Sequence, residues 1–383
     1  MPSFGLAHPR GRFPFERLTA VALARLARFP SYRAPRAADL HDPTTFQPPA
    51  GPSSELVLSG RAFIASGSTR PDVRLVAVQP FVGELAACPH LRTLRRLDLT
   101  GNRIGPDGAR ALVASPFFGG LRELVLNGNA IGSEGAAALP GAPWLSGLER
   151  LEVAGNGLTA NDVIRVLDAA PRVTAVDVSG NAADFAEVAR RGMREVVAVG
   201  STWGRLAAGQ AQATGSRPHD RTATLASLDL RHTRVPPLGP CPALTHLNLG
   251  FTDCGDAFDA AAFPTLCVLG LRACRLARPA IRSASVAALD LSVNPLADAG
   301  AAVSRCPNVT HLNLANTGLS DAALAAVLAA LPKLRVLDLA WNPLADPAPL
   351  LGHPTLQALD LTGTRFDRRG LRALAARFGT IGE

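Results

Sequence analysis

Between Leu94 and Phe366 one order of apolar and polar positions is repeated twelve times. Each unit carries aliphatic residues at positions one, four and six, a small polar residue at nine and an apolar one at eleven. Leu94, Leu97, Leu99, Asn102 and Ile104 show the pattern clearly, as do Leu334, Leu337, Leu339, Asn342 and Leu344. The units begin at Leu94, Leu121, Leu148, Val173, Met193, Leu225, Leu244, Leu266, Val286, Val309, Leu334 and Leu356. A period of roughly 20–30 residues marks a solenoid, in which each unit buries its apolar face against its neighbours. Alternating aliphatics at four and six predict a short strand.

The segment after position eleven predicts a helix where the unit is long enough. Leu319–Leu328 is the best case, with Ser320 placed to cap its N-terminus and alanines favouring the helix. Asp107–Leu112 and Glu134–Leu139 share the pattern, each with an acidic residue at the positive end of the helix dipole. Early units carry full helices; shorter later units have room only for a turn or a 3₁₀ segment. Wider convex elements force stronger curvature, so the N-terminal half is expected to bend more sharply. The polar residue at nine stands where the chain leaves the strand and can satisfy backbone groups that would otherwise be buried unpaired.

Outside the clear repeats, Phe15–Phe29 places apolar residues on one helical face, ended by Pro30, and predicts a cap on the array. Leu56 and Leu58, then Val73, Val76 and Val78, suggest two degenerate leading repeats. The fifth clear unit is worn, with Met193, Val196, Ala198, Ser201 and Trp203 in its signature positions. Its long tail, near 204–224, is expected to form a surface loop or hinge.

The signature Leu97-Asp98-Leu99-Thr100-Gly101-Asn102-Arg103-Ile104, followed by Gly105-Pro106-Asp107-Gly108-Ala109, resembles leucine-rich-repeat proteins, in particular the ribonuclease-inhibitor-like subclass. The Ala- and Arg-rich form is similar to leucine-rich-repeat proteins of bacteria. The resemblance spans about residues 54–380. It implies an α/β solenoid: a curved horseshoe with a parallel sheet on its concave face, helices and turns on its convex face, and use in protein binding. Residues 1–50 are then an Arg/Pro-rich leader, and 51–383 the repeat domain. The same subclass occurs in GTPase-activating proteins, so GTPase regulation is the alternative the resemblance implies.

Charge changes this picture little. The net charge of +8 comes almost wholly from arginine, since Lys333 is the only lysine, a bias that points to a GC-rich genome rather than to phosphate binding. The leader, with seven Arg against Glu16 and Asp39 in residues 1–40, is the one segment that invites nucleic-acid association. No apolar run is long enough for a membrane span, and the start is a poor secretory signal. The six cysteines form no metal or redox motif. Cys88, Cys241 and Cys306 precede prolines at repeat starts, and Cys254 and Cys274 take signature positions; buried packing roles in a reducing, cytoplasmic compartment are expected.

Any function must lie in the variable positions. Position five, predicted on the concave face, carries Asp98, Glu152, Asp177, Asp229, Asp290, Asp338 and Asp360. This file is either an acidic groove for a basic protein partner or simply part of the repeat consensus. Binding of nucleic acid by that face is not expected, because phosphates would meet carboxylates. His246 and His311 stand at position three, too far apart to share a metal ion. Arg231 and Arg272 at position seven, with Phe251 and Trp341 at eight, are candidate binding anchors, since arginine and aromatic residues dominate hot spots. His90, His219, His232 and His353 fall at repeat edges or loops without a companion nucleophile, and no phosphate loop or catalytic motif is present. The expectation is a monomeric, non-enzymatic scaffold without metal or cofactor.

Overall fold

The computed structural model describes residues 32–33, 55–57, 82–181, 185–201, 224–233, 238, 241–256 and 258–379. Its frame is one sheet of fourteen parallel strands in strict chain order. β1 (Tyr32–Arg33) and β2 (Glu55–Val57) lead; then come β3 (Arg96–Asp98), β4 (Glu123–Val125), β5 (Arg150–Glu152), β6 (Ala175–Asp177) and β7 (Glu195–Val197). β8 (Ser227–Asp229), β9 (His246–Asn248), β10 (Val268–Gly270), β11 (Ala288–Asp290), β12 (His311–Asn313), β13 (Val336–Asp338) and β14 (Ala358–Asp360) complete it. Each strand from β3 onward spans positions three to five of one sequence unit, and like positions pair across every step, as Leu97 with Leu124 and Leu337 with Leu359.

The residues at positions one, four and six are buried in all twelve units. Burying three such side chains per unit, at about 1.5–3 kcal/mol each, is the main term that holds neighbours together. The worn unit keeps the same frame: Met193, Val196 and Ala198 are buried, and β7 pairs with both β6 and β8. Position nine works as expected. Asn156 accepts the Asn129 backbone N–H at 3.0 Å and donates to Leu126 O at 2.8 Å, and Asn181 does the same one unit on, to Asn156 N–H and Val153 O. Where threonine stands there, as Thr233, only the donating half survives.

On the other side lie α1 (Val82–Ala86), α2 (Gly105–Val113), α3 (Gly132–Ala138), α4 (Ala160–Ala169), α5 (Ala186–Ala189), α6 (Ala299–Val303), α7 (Asp321–Ala330), α8 (Ala348–Gly352) and α9 (Arg368–Phe378). Ser320 caps α7 by accepting from Ala323 N–H. Between β8 and β11 the helical element among the described residues is a 3₁₀ turn, Ala260–Ala262. Shorter units nearer the C-terminus still form helices, since α6 and α8 fit one turn each into 23 and 22 residues.

Several details differ from expectation. Tyr32–Arg33, within the predicted leader, pairs with β2, and β2 pairs directly with β3. The predicted helix at 15–29, the Val73–Val78 segment, Trp203, His219 and the interval 204–223 lie outside the described residues. Cys88, Cys241, Cys274 and Cys306 are buried as expected, but Cys254 is only half-buried and Cys267 is exposed. Cys267 sits at position two, one residue before the strand, where the side chain has left the core.

Candidate functional site

Two files of side chains, from positions three and five, stand on the face of the sheet opposite the helices. The position-five acids share a turn-forming task. Asp98, Asp177, Asp229, Asp290, Asp338 and Asp360 each accept the backbone N–H two residues on, at 2.9–3.1 Å. Asn248 and Asn313 make the same bond. This Asx turn ends each strand, so a structural demand explains much of the file. Glu152 is too long for it; the Ala154 N–H is instead satisfied by Asn127 of the preceding unit at 2.8 Å.

The register sets like charges side by side, Glu152 opposite Asp177 and Asp338 opposite Asp360. Burial pushes the carboxyls of Glu152, Asp177 and Asp290 upward. Asp338 is pushed to about 7 by burial, with Asp360 and Asp290 adding to the shift against its bond from Ala340. Asp338 is therefore only partly ionised near neutrality.

Position three supplies a balancing charge that sequence reasoning missed. Arg96 meets Glu123 at 3.0 Å and Asp98 at 3.4 Å. Arg150 meets Glu152 at 3.4 Å and reaches over Ala175 to Glu195 at 2.6 Å. The N-terminal part of the face is thus an ion-paired lattice. The C-terminal part is different, with His246, Val268, Ala288, His311, Val336 and Ala358 at position three.

The two histidines are built alike. Thr245 Oγ1 donates to Ala226 O at 2.9 Å and lies 2.9 Å from His246 Nδ1; Thr310 Oγ1 donates to Ala287 O at 3.1 Å and lies 2.9 Å from His311 Nδ1. A hydroxyl has one proton, so where it goes to the carbonyl the ring donates from Nδ1 and, when neutral, keeps Nε2 as an acceptor. Burial lowers both imidazoles; Glu195 opposes the shift at His246, and Arg335 adds to it at His311. Three strand spacings, about 14 Å, separate them.

The rim where the strands end carries the most distinctive feature. Position eight is left-handed in every unit, and in the first eleven its N–H bonds to the position-seven carbonyl of the next unit. The first five units place Gly101, Gly128, Gly155, Gly180 and Gly200 there. The next six place His232, Phe251, Ala273, Val293, Asn316 and Trp341, with φ between 53° and 62°. A left-handed conformation costs a non-glycine residue roughly 1–2 kcal/mol, and β-branched or bulky residues rarely adopt it.

Phe251 is 43% exposed and Trp341 is 61% exposed, the large exposed hydrophobics among the described residues. His232 stacks on Phe251 with centroids 4.3 Å apart, and Arg272 lies over the other part of this cluster, 5.7 Å from the ring. His232, at a repeat edge, is thus part of the rim. Arg272 also donates to Ser292 Oγ at 3.0 Å. Arg231 is held by Asp229 at 3.0 Å. His353, by contrast, is buried with Nε2 3.1 Å from Leu331 O, a packing residue.

A Leucine Rich repeat family model matches residues 90–113, 121–139, 305–328, 330–348 and 352–375. Those segments coincide with units whose strands, buried aliphatics and position-nine ladder are described above. The array is a leucine-rich-repeat solenoid. Its leucine-rich repeats are similar to those of an internalin (inlF) from Listeria monocytogenes str. 4b F2365, at 18% identity and a TM-score of 0.49, over 85% of this chain and 93% of that one. Internalin C2 (inlC2) from the same strain gives 19% identity and 0.33 over 44% and 77%. The TLR13–ssRNA13 complex gives 15% identity and 0.35 over 79% and 59%. No curated protein matches the sequence. Among the described residues of this leucine-rich-repeat array, no cluster of His, Cys, Asp or Glu could hold a metal ion, and no helix is long and apolar enough to cross a membrane.

Proposed function

We propose that this chain is a non-enzymatic protein-binding module whose partner docks on the C-terminal half of the concave face and its rim. The observation that carries this reading is the run of six consecutive non-glycine residues at position eight, where the backbone favours glycine. Strain kept at an exposed position supports a demand on the side chain rather than on the fold. Trp341 and Phe251 then act as anchors, with Arg231 and Arg272 beside them, and His246 and His311 offer Nε2 acceptors. Asp290, Asp338 and Asp360 face the same region without a close ion-pair partner among the described residues, and would meet basic groups of a monomeric array's partner. Asp98, Glu152 and Asp229 contribute less, being paired with Arg96, Arg150 and Arg231, and Asp177 stands among them in the N-terminal part of the face. The full helices of the longer repeats favour the ribonuclease-inhibitor-like subclass, the Ala- and Arg-rich sequence favours a bacterial origin, and the buried free cysteines favour a reducing cytoplasmic setting.

A photo-reactive amino acid at Asn316, flanked by Val293 and Trp341 on the rim, tests this in native lysate. A control probe replaces Arg110 on α2. The expected result is a protein crosslinked from Asn316 alone and lost in Trp341→Gly. Identical products from both probes, or capture unaffected by Trp341→Gly, would sink the reading. Loss of the same product in Asp290→Arg/Asp338→Arg identifies the partner surface as basic.

A further inference from the structure

On the helical side, far from the rim, a cavity of about 550 Å³ opens between the segment 278–282 and α6. Its origin is a mismatch between neighbouring repeats. The unit beginning at Leu266 has no helix, whereas the next carries α6. α6 leans the other way, onto α7, so closely that a Cβ on Gly300 would lie 2.8 Å from Ala326 Cβ. The gap is framed by backbone bonds at both ends, Ala297 N–H to Ala277 O at 2.8 Å and Ser283 N–H to Arg305 O at 3.2 Å. The cavity is therefore part of the folded frame. Its volume falls within the roughly 300–1,000 Å³ usual for small-ligand sites.

The lining is apolar at the bottom, with Ile281 and Ala302 buried, and charged at the mouth, with Arg278, Arg282, Arg305 and Asp298. None of the three arginines has an ion-pair partner among the described residues, while their neighbour Arg275 is paired with Asp253. Asp298 is committed to capping α6 through Ala301 N–H at 2.8 Å, and Asp256, behind the segment, accepts the backbone N–H of Ala277 and Arg278. Three guanidiniums and one carboxylate lining the cavity leave 3 − 1 = +2. Such a balance fits a dianion better than a single carboxylate, and a phosphate monoester carries about −1.5 to −2 at neutral pH. Guanidiniums also match phosphate oxygens in pairs.

We propose that this cavity binds a phosphate monoester whose apolar body lies on Ile281 and Ala302. The site is separate from the rim and independent of the partner reading above. Calorimetric titration of the full chain with phenyl phosphate tests it, with inorganic phosphate and phenol as comparisons. Phenyl phosphate should bind saturably and roughly tenfold more tightly than either comparison, and Arg282→Gln/Arg305→Gln should weaken it by about tenfold or more. Trp341→Gly should leave the titration unchanged. Circular dichroism checks folding of the double variant, and Arg278→Gln alone replaces it if it does not fold. No saturable binding up to about 10 mM phenyl phosphate overturns the proposal. So does binding that ignores the arginine substitutions. A phosphotyrosyl peptide binding more tightly than phenyl phosphate assigns the phosphate to a protein chain, and the reverse assigns it to a free small molecule; either order upholds the site.

Discussion

The indole of Trp341 lies against the backbone of Gly363, so close that a Cβ built on Gly363 would stand 2.6 Å from the ring. Gly363 holds the next position eight, at φ 72°. One glycine thus forms the floor on which the most exposed aromatic ring of the rim rests.

Replacing Gly363 with alanine should therefore cost stability twice, through the left-handed backbone and through the displaced ring. We expect a loss of roughly 1–3 kcal/mol in chemical denaturation. Part of it should return in Gly363→Ala/Trp341→Gly, because the ring is gone. Equal losses in the single and double variants would show that the ring does not rest on Gly363.

Trp341→Gly and Phe251→Gly separate fold from function. Glycine is the residue the first five repeats use here, so relief of backbone strain should offset much of the lost packing. Stability should change by no more than about 1 kcal/mol while crosslinking from Asn316 falls. A large drop in melting temperature would instead make these side chains structural.

Asp338 gives a pH signature. Its carboxyl titrates in the fold at about 7, above its usual value near 3.8. The folded state therefore holds its proton more tightly, an advantage present below pH 4 and lost as pH rises towards 7. Asp338→Asn keeps the acceptor for Ala340 N–H, as Asn313 shows at the neighbouring strand. The variant should gain on the order of 1 kcal/mol over the parent at pH 8 and nothing at pH 4. Thermal melts at the two pH values decide it; a pH-independent difference would refute the cause given.

Asn156 tests the ladder at position nine. Substitution by alanine strands the Asn129 N–H and the Leu126 carbonyl inside the array, at about 1–3 kcal/mol for each buried group. Thr233→Ala, which removes only a donor, should cost less. Chemical denaturation compares the two variants, and hydrogen exchange at the Asn129 N–H reads the loss in Asn156→Ala directly.

The frame was legible because its information is periodic. Leu97, Leu124 and Leu151 repeat at fixed offsets, and a solenoid converts that offset into a register without long-range guesswork. The charge lattice was not, since Arg150 and Glu195 lie 45 residues apart and meet only because Ala175 between them is small. Position eight was readable in principle. Gly101, Gly128, Gly155, Gly180 and Gly200 form a column whose replacement by His232, Phe251 and Trp341 is a signal, but its meaning requires the backbone angle. The position-five acids left two readings open in the sequence, a groove for a basic partner or repeat consensus, and the turn that both Asp and Asn make there, as at Asp290 and Asn313, became visible only with the backbone.

The backbone ladder at position eight runs from Gly101 to Trp341, including the step from Gly200 to Arg231 across the longest interval between repeats. Its side chains consequently fall on a graduated scale, with divisions of about 4.8 Å that ignore the length of chain between them. Phe251 and Trp341 stand four divisions apart, roughly 19 Å. An object measured by both must carry its matching features about six residues apart if extended, or about thirteen if helical. On the binding reading proposed above, the rim would be a gauge as well as a surface, favouring partners whose features match that spacing.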